Sequence, residues 1–220
     1  MLQDELHKVL PVVNTQGSDS AMLDNTLEFL TMSGMDLPLA VMITIPEPWA
    51  NNDTISQEKR DFYQYYATMM EPWDGPASIL FSDGDVMGAV LDRNGLRPSR
   101  YYITNDGFLI LSSEVGVLEV PEEKIVLKER LHPGKMLLVD TVEGRVIDDE
   151  VKEYYAKKQP YGEWLDSYLV QLKDIKIPNL PVEEYTKEER MRLQKAFGYT
   201  YEEYRSSIGK MALNGVEATA

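Results

Sequence analysis

The spacing of hydrophobic residues predicts helices in the first third of the chain. Leu23, Leu27 and Leu30 recur at helical spacing, so they share one face of a helix. Ser18 or Asp19 can cap its start, because both side chains accept hydrogen bonds from the first backbone N–H groups. This helix is expected to reach about Ser33, with Gly34 just beyond its end. Two further helices are predicted, over residues 2–10 and from the Ser56 cap to a stop before Pro72.

An apolar run and a series of turns predict strands. The run from Leu39 to Ile45 is continuous and partly β-branched, so we predict a buried strand that ends at Pro46. From Ala77 the hydrophobic period changes to two, and Asp-Gly and Asn-Asp-Gly sequences indicate tight turns. The predicted strands are 77–81, 86–91, 100–104, 108–111, 136–140 and 145–147, with a strand at 124–128 expected to pair with the last two. About six antiparallel strands preceded by helices indicate the α+β class.

The last quarter of the chain is predicted to be helical, with one interruption. Helices are expected from residue 148 to about 157 and from 160 to about 173. Residues 173–186 contain two prolines and no periodicity, which is typical of an extended linker. Thr186 and Thr200 are predicted to cap two final helices, over 187–197 and to about Leu213. These two helices have too few apolar residues to form a core by themselves.

Composition excludes several classes of function. The chain has 37 acidic and 22 basic residues and a formal net charge of −15, so a nucleic-acid partner is not expected. It contains no cysteine, which excludes disulfides, thiolate metal sites and iron–sulfur ligation by this chain. No apolar run approaches the about 18 residues that cross a bilayer, and the acidic Asp4 and Glu5 do not fit a signal peptide. We expect a cytoplasmic protein without a membrane segment.

Asp19 is the candidate binding residue, and its position allows two interpretations. As a helix cap, its carboxylate would accept backbone N–H bonds at the positive end of the helix dipole, worth about 1 kcal/mol. As a binding group in a cleft, the same carboxylate would pair with a substrate ammonium through charge-assisted hydrogen bonds. The spacing alone favours the cap.

Several ordered motifs carry a resemblance to a known family. They are Gly17-Ser18-Asp19-Ser20-Ala21-Met22-Leu23-Asp24-Asn25, Glu71-Pro72-Trp73-Asp74-Gly75-Pro76-Ala77, Leu91-Asp92-Arg93-Asn94-Gly95-Leu96-Arg97-Pro98, Ser112-Ser113-Glu114-Val115-Gly116-Val117-Leu118 and Leu131-His132-Pro133-Gly134-Lys135-Met136. In this order they resemble the class II glutamine amidotransferase part of the glutamate synthase family. The tail, Phe197-Gly198-Tyr199-Thr200 with Met211-Ala212-Leu213-Asn214-Gly215, resembles the entry into the central domain of those enzymes.

The resemblance implies a fold, an activity and one site residue. The fold would be an N-terminal-nucleophile hydrolase sandwich of the α/β/β/α type with mostly antiparallel strands, here incomplete, followed by a helical tail. The family hydrolyses glutamine and delivers the ammonia to 2-oxoglutarate to make glutamate. Asp19 would hold the α-ammonium of L-glutamine. No catalytic residue carries over, since the family's nucleophilic cysteine has no counterpart here and Leu2, exposed if Met1 is removed, has no nucleophilic group.

The resemblance also implies domains, cofactors and partners. Residues 1–172 would be a partial glutaminase domain, 173–186 a linker, and 187–220 the helical start of the central domain. No cofactor or metal is expected within this chain, whereas the full-length enzyme would carry FMN and an iron–sulfur cluster. Partners would be L-glutamine, the remaining domains of the same enzyme, and a small electron-transfer subunit or ferredoxin. The isolated chain is expected to be inactive.

Other interpretations remain open at this stage. One is a non-catalytic glutamine-sensing or interaction module on a degenerate amidotransferase scaffold, and another is a phosphoribosyl-transferring amidotransferase, which the missing phosphoribosyl-pyrophosphate loop disfavours. The turn around Asp92 suggests either the rim of a substrate cleft or, with preference, a structural turn with a partly buried pair between Asp92 and Arg97 or Arg100. The two histidines, His7 and His132, are expected to be surface residues.

Overall fold

The computed structural model describes residues 3–147, 150–176, 181 and 183–217. These residues divide into two compact units, with the boundary between Leu169 and Val170. The first unit contains the motifs that carry the resemblance up to Met136, and the second contains the helical tail. The predicted start of a helix at residues 148 and 149 and residues 177–180 and 182 of the predicted linker lie outside the described residues.

Within the described residues of the first unit there are six α-helices: α1 (Gln3–Val9), α2 (Asp19–Met32), α3 (Leu37–Thr44), α4 (Gln57–Ala67), α5 (Glu150–Lys157) and α6 (Tyr161–Tyr168). The cap of α2 is Ser18, whose side chain accepts from the backbone N–H of Ala21, and Ser56 caps α4 in the same way. Gly34 follows α2 with a φ of +94°, as predicted for a residue that must adopt the left-handed conformation. Two predicted helices were too long, since α4 ends five residues before Pro72 and α6 ends at Tyr168.

The prediction of a strand from Leu39 to Ile45 is wrong, because this run forms helix α3. Asp36 has the extended conformation of an N-cap residue, and Pro38 lies in the first turn, where its missing N–H costs nothing. Every residue from Pro38 to Thr44 is buried. A helix that is buried on all sides has no polar face, so hydrophobic periodicity cannot distinguish it from a buried strand.

Seven strands are present among the described residues: β1 (Ser78–Ser82), β2 (Val86–Leu91), β3 (Arg100–Thr104), β4 (Leu109–Ser112), β5 (Ile125–Arg130), β6 (Met136–Asp140) and β7 (Arg145–Ile147). They form two antiparallel sheets, one in the order β1-β2-β6-β7 and one in the order β4-β3-β5. The three predicted hairpins are confirmed. The predicted pairing of the strand near 124–128 with β6 and β7 is wrong, because β5 pairs with β3 in the other sheet. Local turn chemistry defines hairpins but carries no information on such distant pairing.

The core consists of two layers of apolar side chains, one on each face of the four-stranded sheet. The larger layer packs helices α2 to α6 against one face and includes Phe62, Val41, Phe81 and Met136. The smaller layer contains Ala89, Leu91, Leu131 and Leu137, and Tyr101, Leu109 and Leu111 of the second sheet pack against it. The described part of the first unit is therefore an α+β stack of helices, sheet and sheet.

The second unit contains α7 (Lys187–Ala196), α8 (Tyr201–Glu203), a π-helical stretch (Tyr204–Ile208) and α9 (Gly209–Asn214). Thr186 and Thr200 cap α7 and α8, each within a capping box that uses the glutamate three residues later. Tyr201, Tyr204, Phe197 and Leu213 are exposed. The absence of buried residues among the described part of these helices agrees with the expectation that they form no core alone.

Candidate functional site

Asp19 is the first residue of α2, and its carboxylate is open to solvent. Its Oδ1 atom accepts a hydrogen bond of 2.8 Å from the backbone N–H of Ser20. The capping position is taken by Ser18, whose Oγ accepts from Ala21 at 3.2 Å and lies 3.0 Å from the Ser20 hydroxyl. The Asp19 side chain is therefore not needed to cap the helix. No ion pair to it is found among the described residues, so a cationic ligand would meet no internal competitor.

Two asparagines fix the loop that leads into α2. The side chain of Asn25, one turn and a half inside the helix, accepts from the backbone N–H of Asn14 at 3.1 Å. The Asn14 side chain accepts a hydrogen bond of 3.1 Å from the backbone N–H of Gln16. The Asn14 backbone carbonyl accepts one of 2.9 Å from the N–H of Gly17. A Cβ on Gly17 would lie 3.2 Å from the Asn14 carbonyl oxygen and 3.3 Å from the Ala21 Cβ. This close approach explains glycine immediately before Ser18-Asp19.

A long groove runs beside this end of α2, between that helix and the edge strand β1. Its volume is about 1010 Å³. We call it the α2–β1 groove and define it by its lining: Ser20, Leu23, Asp24, Leu27, Glu28, Thr31, Gly34–Leu37 and Ser78–Asp83. Ser20, the neighbour of Asp19, belongs to it. The site consequently combines an exposed carboxylate with an adjoining concave surface.

Asp92 joins two of the family-like motifs through backbone hydrogen bonds. It is buried, with 3% exposure, and it accepts from the N–H groups of Ala77 at 3.0 Å, Asn94 at 2.9 Å and Gly95 at 3.1 Å. The expected pair between Asp92 and Arg97 or Arg100 is therefore wrong, because backbone donors satisfy the carboxylate and both arginines are exposed. These backbone hydrogen bonds support the structural interpretation of the turn, and its position relative to a substrate cleft stays a prediction. Arg93 forms an exposed pair with Asp74 at 3.0 Å.

The turn at Pro133-Gly134 connects this region to the helical layer. A Cβ on Gly95 would lie only 2.2 Å from Pro133 Cγ, and Gly95 has a φ of +61°. Only glycine fits there, because both the space and the backbone conformation exclude a side chain. Gly134 lies against Glu47 on its other side, where an added Cβ would be 3.1 Å from the Glu47 Cβ.

A buried charged cluster lies behind that turn, and no sequence pattern indicates it. Glu47 Oε1 lies 2.9 Å from Lys59 Nζ and 3.6 Å from Lys152 Nζ, and it accepts from the Tyr63 hydroxyl at 3.0 Å. Lys152 also donates to the Gly134 carbonyl. The side chains of Glu47, Lys59 and Lys152 are at most 10% exposed. The cluster joins Lys59 of α4 and Lys152 of α5 to the loops that carry Glu47 and Gly134. Removing one of the charges would leave its partner buried without compensation, which is strongly destabilising.

Other candidate chemistry is sparse. His132 is exposed and lies 3.7 Å from Glu129, and His7 is also exposed, as expected. Within the described residues, no group of three or more histidine or carboxylate side chains could hold a metal ion. None of the helices in the described ranges is long and apolar enough to span a membrane.

Comparison with known proteins identifies the family. The family model for class II glutamine amidotransferases matches residues 1–164. The chain is 51% identical over 210 residues to the large chain of NADPH glutamate synthase from Bacillus subtilis, covering 93% of this chain and 13% of that relative. It is 45% identical over 217 residues to ferredoxin-dependent glutamate synthase 1 of Arabidopsis thaliana, covering 97% of this chain and 13% of the relative.

A third relative, the NADH glutamate synthase of Schizosaccharomyces pombe, is 44% identical over 224 residues, which cover 97% of this chain and 11% of the relative. The chain thus spans about an eighth of the length of these relatives, or less. The order of the motifs, the two antiparallel sheets below a helical layer and the family match agree. This chain belongs to the class II glutamine amidotransferases and corresponds to a stretch of the glutamate synthase large chains.

Proposed function

We propose that this chain is part of the glutamine-hydrolysing portion of a glutamate synthase, and that Asp19 binds the α-ammonium of L-glutamine. The observation that carries the proposal is the state of the Asp19 carboxylate. It is exposed, it is released from capping by Ser18, and no cation pairs with it among the described residues. A charge-assisted hydrogen bond to a substrate ammonium is the chemistry that such a group supports.

The cleavage step requires a nucleophile from polypeptide outside these 220 residues. A thiolate would attack the glutamine amide carbon, ammonia would leave, and water would release glutamate from the resulting thioester. This chain has no cysteine, so we expect it to hold the amino-acid end of the substrate without cleaving it. We also propose that the complete domain is an N-terminal-nucleophile sandwich with a second helical layer.

The remaining expectations concern the complete enzyme. We infer that FMN and an iron–sulfur cluster lie in its other domains, because this chain supplies no cysteine ligand for a cluster. The names of the relatives include NADPH, NADH and ferredoxin. We therefore propose that the complete enzyme has a small electron-transfer subunit or ferredoxin as its partner. The assignment of 173–186 as a linker and 187–220 as the start of the central domain stays a prediction, as does a cytoplasmic location.

The test uses Asp19→Asn in the complete enzyme that carries this chain. Losing a charged hydrogen bond of about 1.5–3 kcal/mol should raise the KM for glutamine by a factor of about 10–150. Glutamate synthesis from added ammonia should stay unchanged, because ammonia needs no contact with Asp19. Asp166→Asn, at an exposed position on α6, is the matched control.

Two results would contradict the proposal. One is a KM for glutamine that Asp19→Asn leaves unchanged. The other is glutamine turnover by the isolated chain that survives Asp19→Ala, since this chain is expected to be inactive. Deamino-glutamine (4-carbamoylbutanoate) sharpens the test, because it lacks the α-ammonium and should bind the original and Asp19→Asn enzymes equally.

A further inference from the structure

The loop in front of Asp19 is tied to the body of α2 by one hydrogen bond. The side-chain oxygen of Asn25 accepts this bond from the backbone N–H of Asn14 at 3.1 Å. Over the part of the chain that the structure describes, it is the only hydrogen bond between residues 11–16 and the chain beyond Gly17. Without it, no hydrogen bond would hold this loop against the helix.

Asn25 belongs to a part of α2 that is fixed in place. Leu23 and Leu27, two positions before and two positions after it, are buried in the larger core layer. Asn25 itself is half-buried, and its NH₂ group donates no hydrogen bond to any described residue. The side-chain oxygen of Asn25 therefore connects the loop to a helix that the core holds, and its NH₂ group takes no part in that connection.

The hydrogen bonds of the loop continue from Asn14 to the candidate binding residue. The side chain and the carbonyl of Asn14 accept from the N–H groups of Gln16 and Gly17, at 3.1 and 2.9 Å. Gly17 leads directly into Ser18, whose hydroxyl caps the helix and leaves the Asp19 carboxylate out of the cap. A carboxylate held in one position binds a cation at a lower entropic cost than a mobile one. Holding the loop therefore favours binding by Asp19.

We propose that Asn25 is a positioning residue for glutamine binding, because its hydrogen bond to Asn14 holds the loop that presents the Asp19 carboxylate to the substrate ammonium. This inference rests on the proposed role of Asp19 and adds a residue that acts through it. The alternative is that the bond only stabilises the fold. The two roles differ in their consequences, since a positioning residue affects the binding of ligands that carry the α-ammonium and of no others.

The main variant is Asn25→Leu in the complete enzyme, which keeps the size of the side chain and removes the accepting oxygen. It should raise the KM for glutamine about threefold to tenfold, because one uncharged hydrogen bond is lost. The kcat should stay within about twofold, because the α-ammonium contact is the same in the bound substrate and in the transition state. Asn25→Ala also lacks the acceptor, leaves more space, and should behave in the same way.

Two matched variants serve as controls. Asn25→Asp keeps the accepting oxygen, so its KM for glutamine should lie within about twofold of the original. Thr26→Val changes the next residue on the helix, where the hydroxyl donates only to the Met22 carbonyl of α2, at 2.8 Å, and it should also leave the KM unchanged. Glutamate synthesis from added ammonia verifies that each variant folds.

Two further measurements separate positioning from stability. Deamino-glutamine, which lacks the α-ammonium, should bind the original and Asn25→Leu enzymes equally. Asn25→Leu should add nothing to the effect of Asp19→Asn, because residues that act on one contact are not additive. Hydrogen–deuterium exchange over residues 13–18 should be faster in Asn25→Leu, but not in Asn25→Asp or Thr26→Val, because only the first loses the bond to Asn14.

Several results would overturn the inference. They are an unchanged KM in Asn25→Leu and Asn25→Ala, an equal weakening of deamino-glutamine binding, an additive effect in the double variant, or an Asn25→Asp enzyme as impaired as Asn25→Leu. A raised KM in Asp19→Asn with an unchanged KM in Asn25→Leu refutes this inference alone. If Asp19→Asn itself leaves the KM unchanged, the proposed role of Asp19 fails, and the role of Asn25 fails with it.

Discussion

Replacing Asp92 by alanine should destabilise the first unit more than any exposed carboxylate substitution. Its carboxylate accepts three backbone N–H bonds, from Ala77, Asn94 and Gly95, and is 3% exposed. Ala77 is itself buried, so its N–H would be left without a partner at a cost of about 1–3 kcal/mol. The turn donors Asn94 and Gly95 are more accessible, and water would replace part of each bond.

The sum of these contributions is about 3 kcal/mol for Asp92→Ala. Asp92→Asn keeps an acceptor at only one of the two oxygen positions and places an NH₂ group against the donor or donors at the other, so about 2 kcal/mol is expected. The matched control is Asp74→Ala. This change removes only the ion pair with Arg93. The Arg93 and Asp74 side chains are 54% and 75% exposed, so the loss should cost at most about 0.5 kcal/mol.

Urea denaturation followed by tryptophan fluorescence measures these differences. All three tryptophans, Trp49, Trp73 and Trp164, lie in the first unit, so the signal reports its unfolding and not that of the tail. With an m-value of about 2 kcal/mol per molar, the midpoint for Asp92→Ala should fall by about 1.5 M. If Asp92→Ala unfolds at the same urea concentration as Asp74→Ala, the three backbone bonds do not support the turn as described.

Two other predictions concern glycine and tyrosine residues. A left-handed alanine costs about 1–2 kcal/mol, and Gly95→Ala should destabilise the chain by more than this because its Cβ would overlap Pro133. Gly144 has a φ of +67° and open space around it, so Gly144→Ala should cost only the free energy of the left-handed backbone. Equal urea midpoints for the two variants would refute the steric argument. Burial raises the pKa of the Tyr155 and Tyr161 hydroxyls well above the usual value. The negative charge of Asp36 adds to the effect at Tyr155, and the hydrogen bond with Tyr66 adds to it at Tyr161. Since the folded-state pKa is the higher one, their contribution to stability is complete below the unfolded pKa of about 10 and is lost as the pH rises above it. Absorbance of tyrosinate in native protein should show these two groups ionising late, and a urea midpoint that does not fall above pH about 10 would contradict the assignment.

Local sequence signals determined much of the secondary structure. The capping boxes at Thr186 and Thr200, the Ser18 cap, Gly34 and the three hairpin turns each depend on residues a few positions apart, so the chain encodes them without reference to the fold. The motif around Asp19 also indicated the candidate binding carboxylate. The shape of that motif, with Asn25 holding Asn14, followed only from the structure.

Tertiary contacts decided what local signals left open. The helix Leu37–Thr44 is buried from Pro38 onward, so neither helical nor strand periodicity is visible in its sequence. β5 pairs with β3 rather than with β6, and Asp92 meets backbone donors from two segments instead of an arginine. Glu47, Lys59 and Lys152 are far apart in sequence and meet only in the folded chain. The sequence alone therefore determined the caps, turns and family, whereas long-range burial and pairing determined which segments met, because their energies depend on partners distant along the chain.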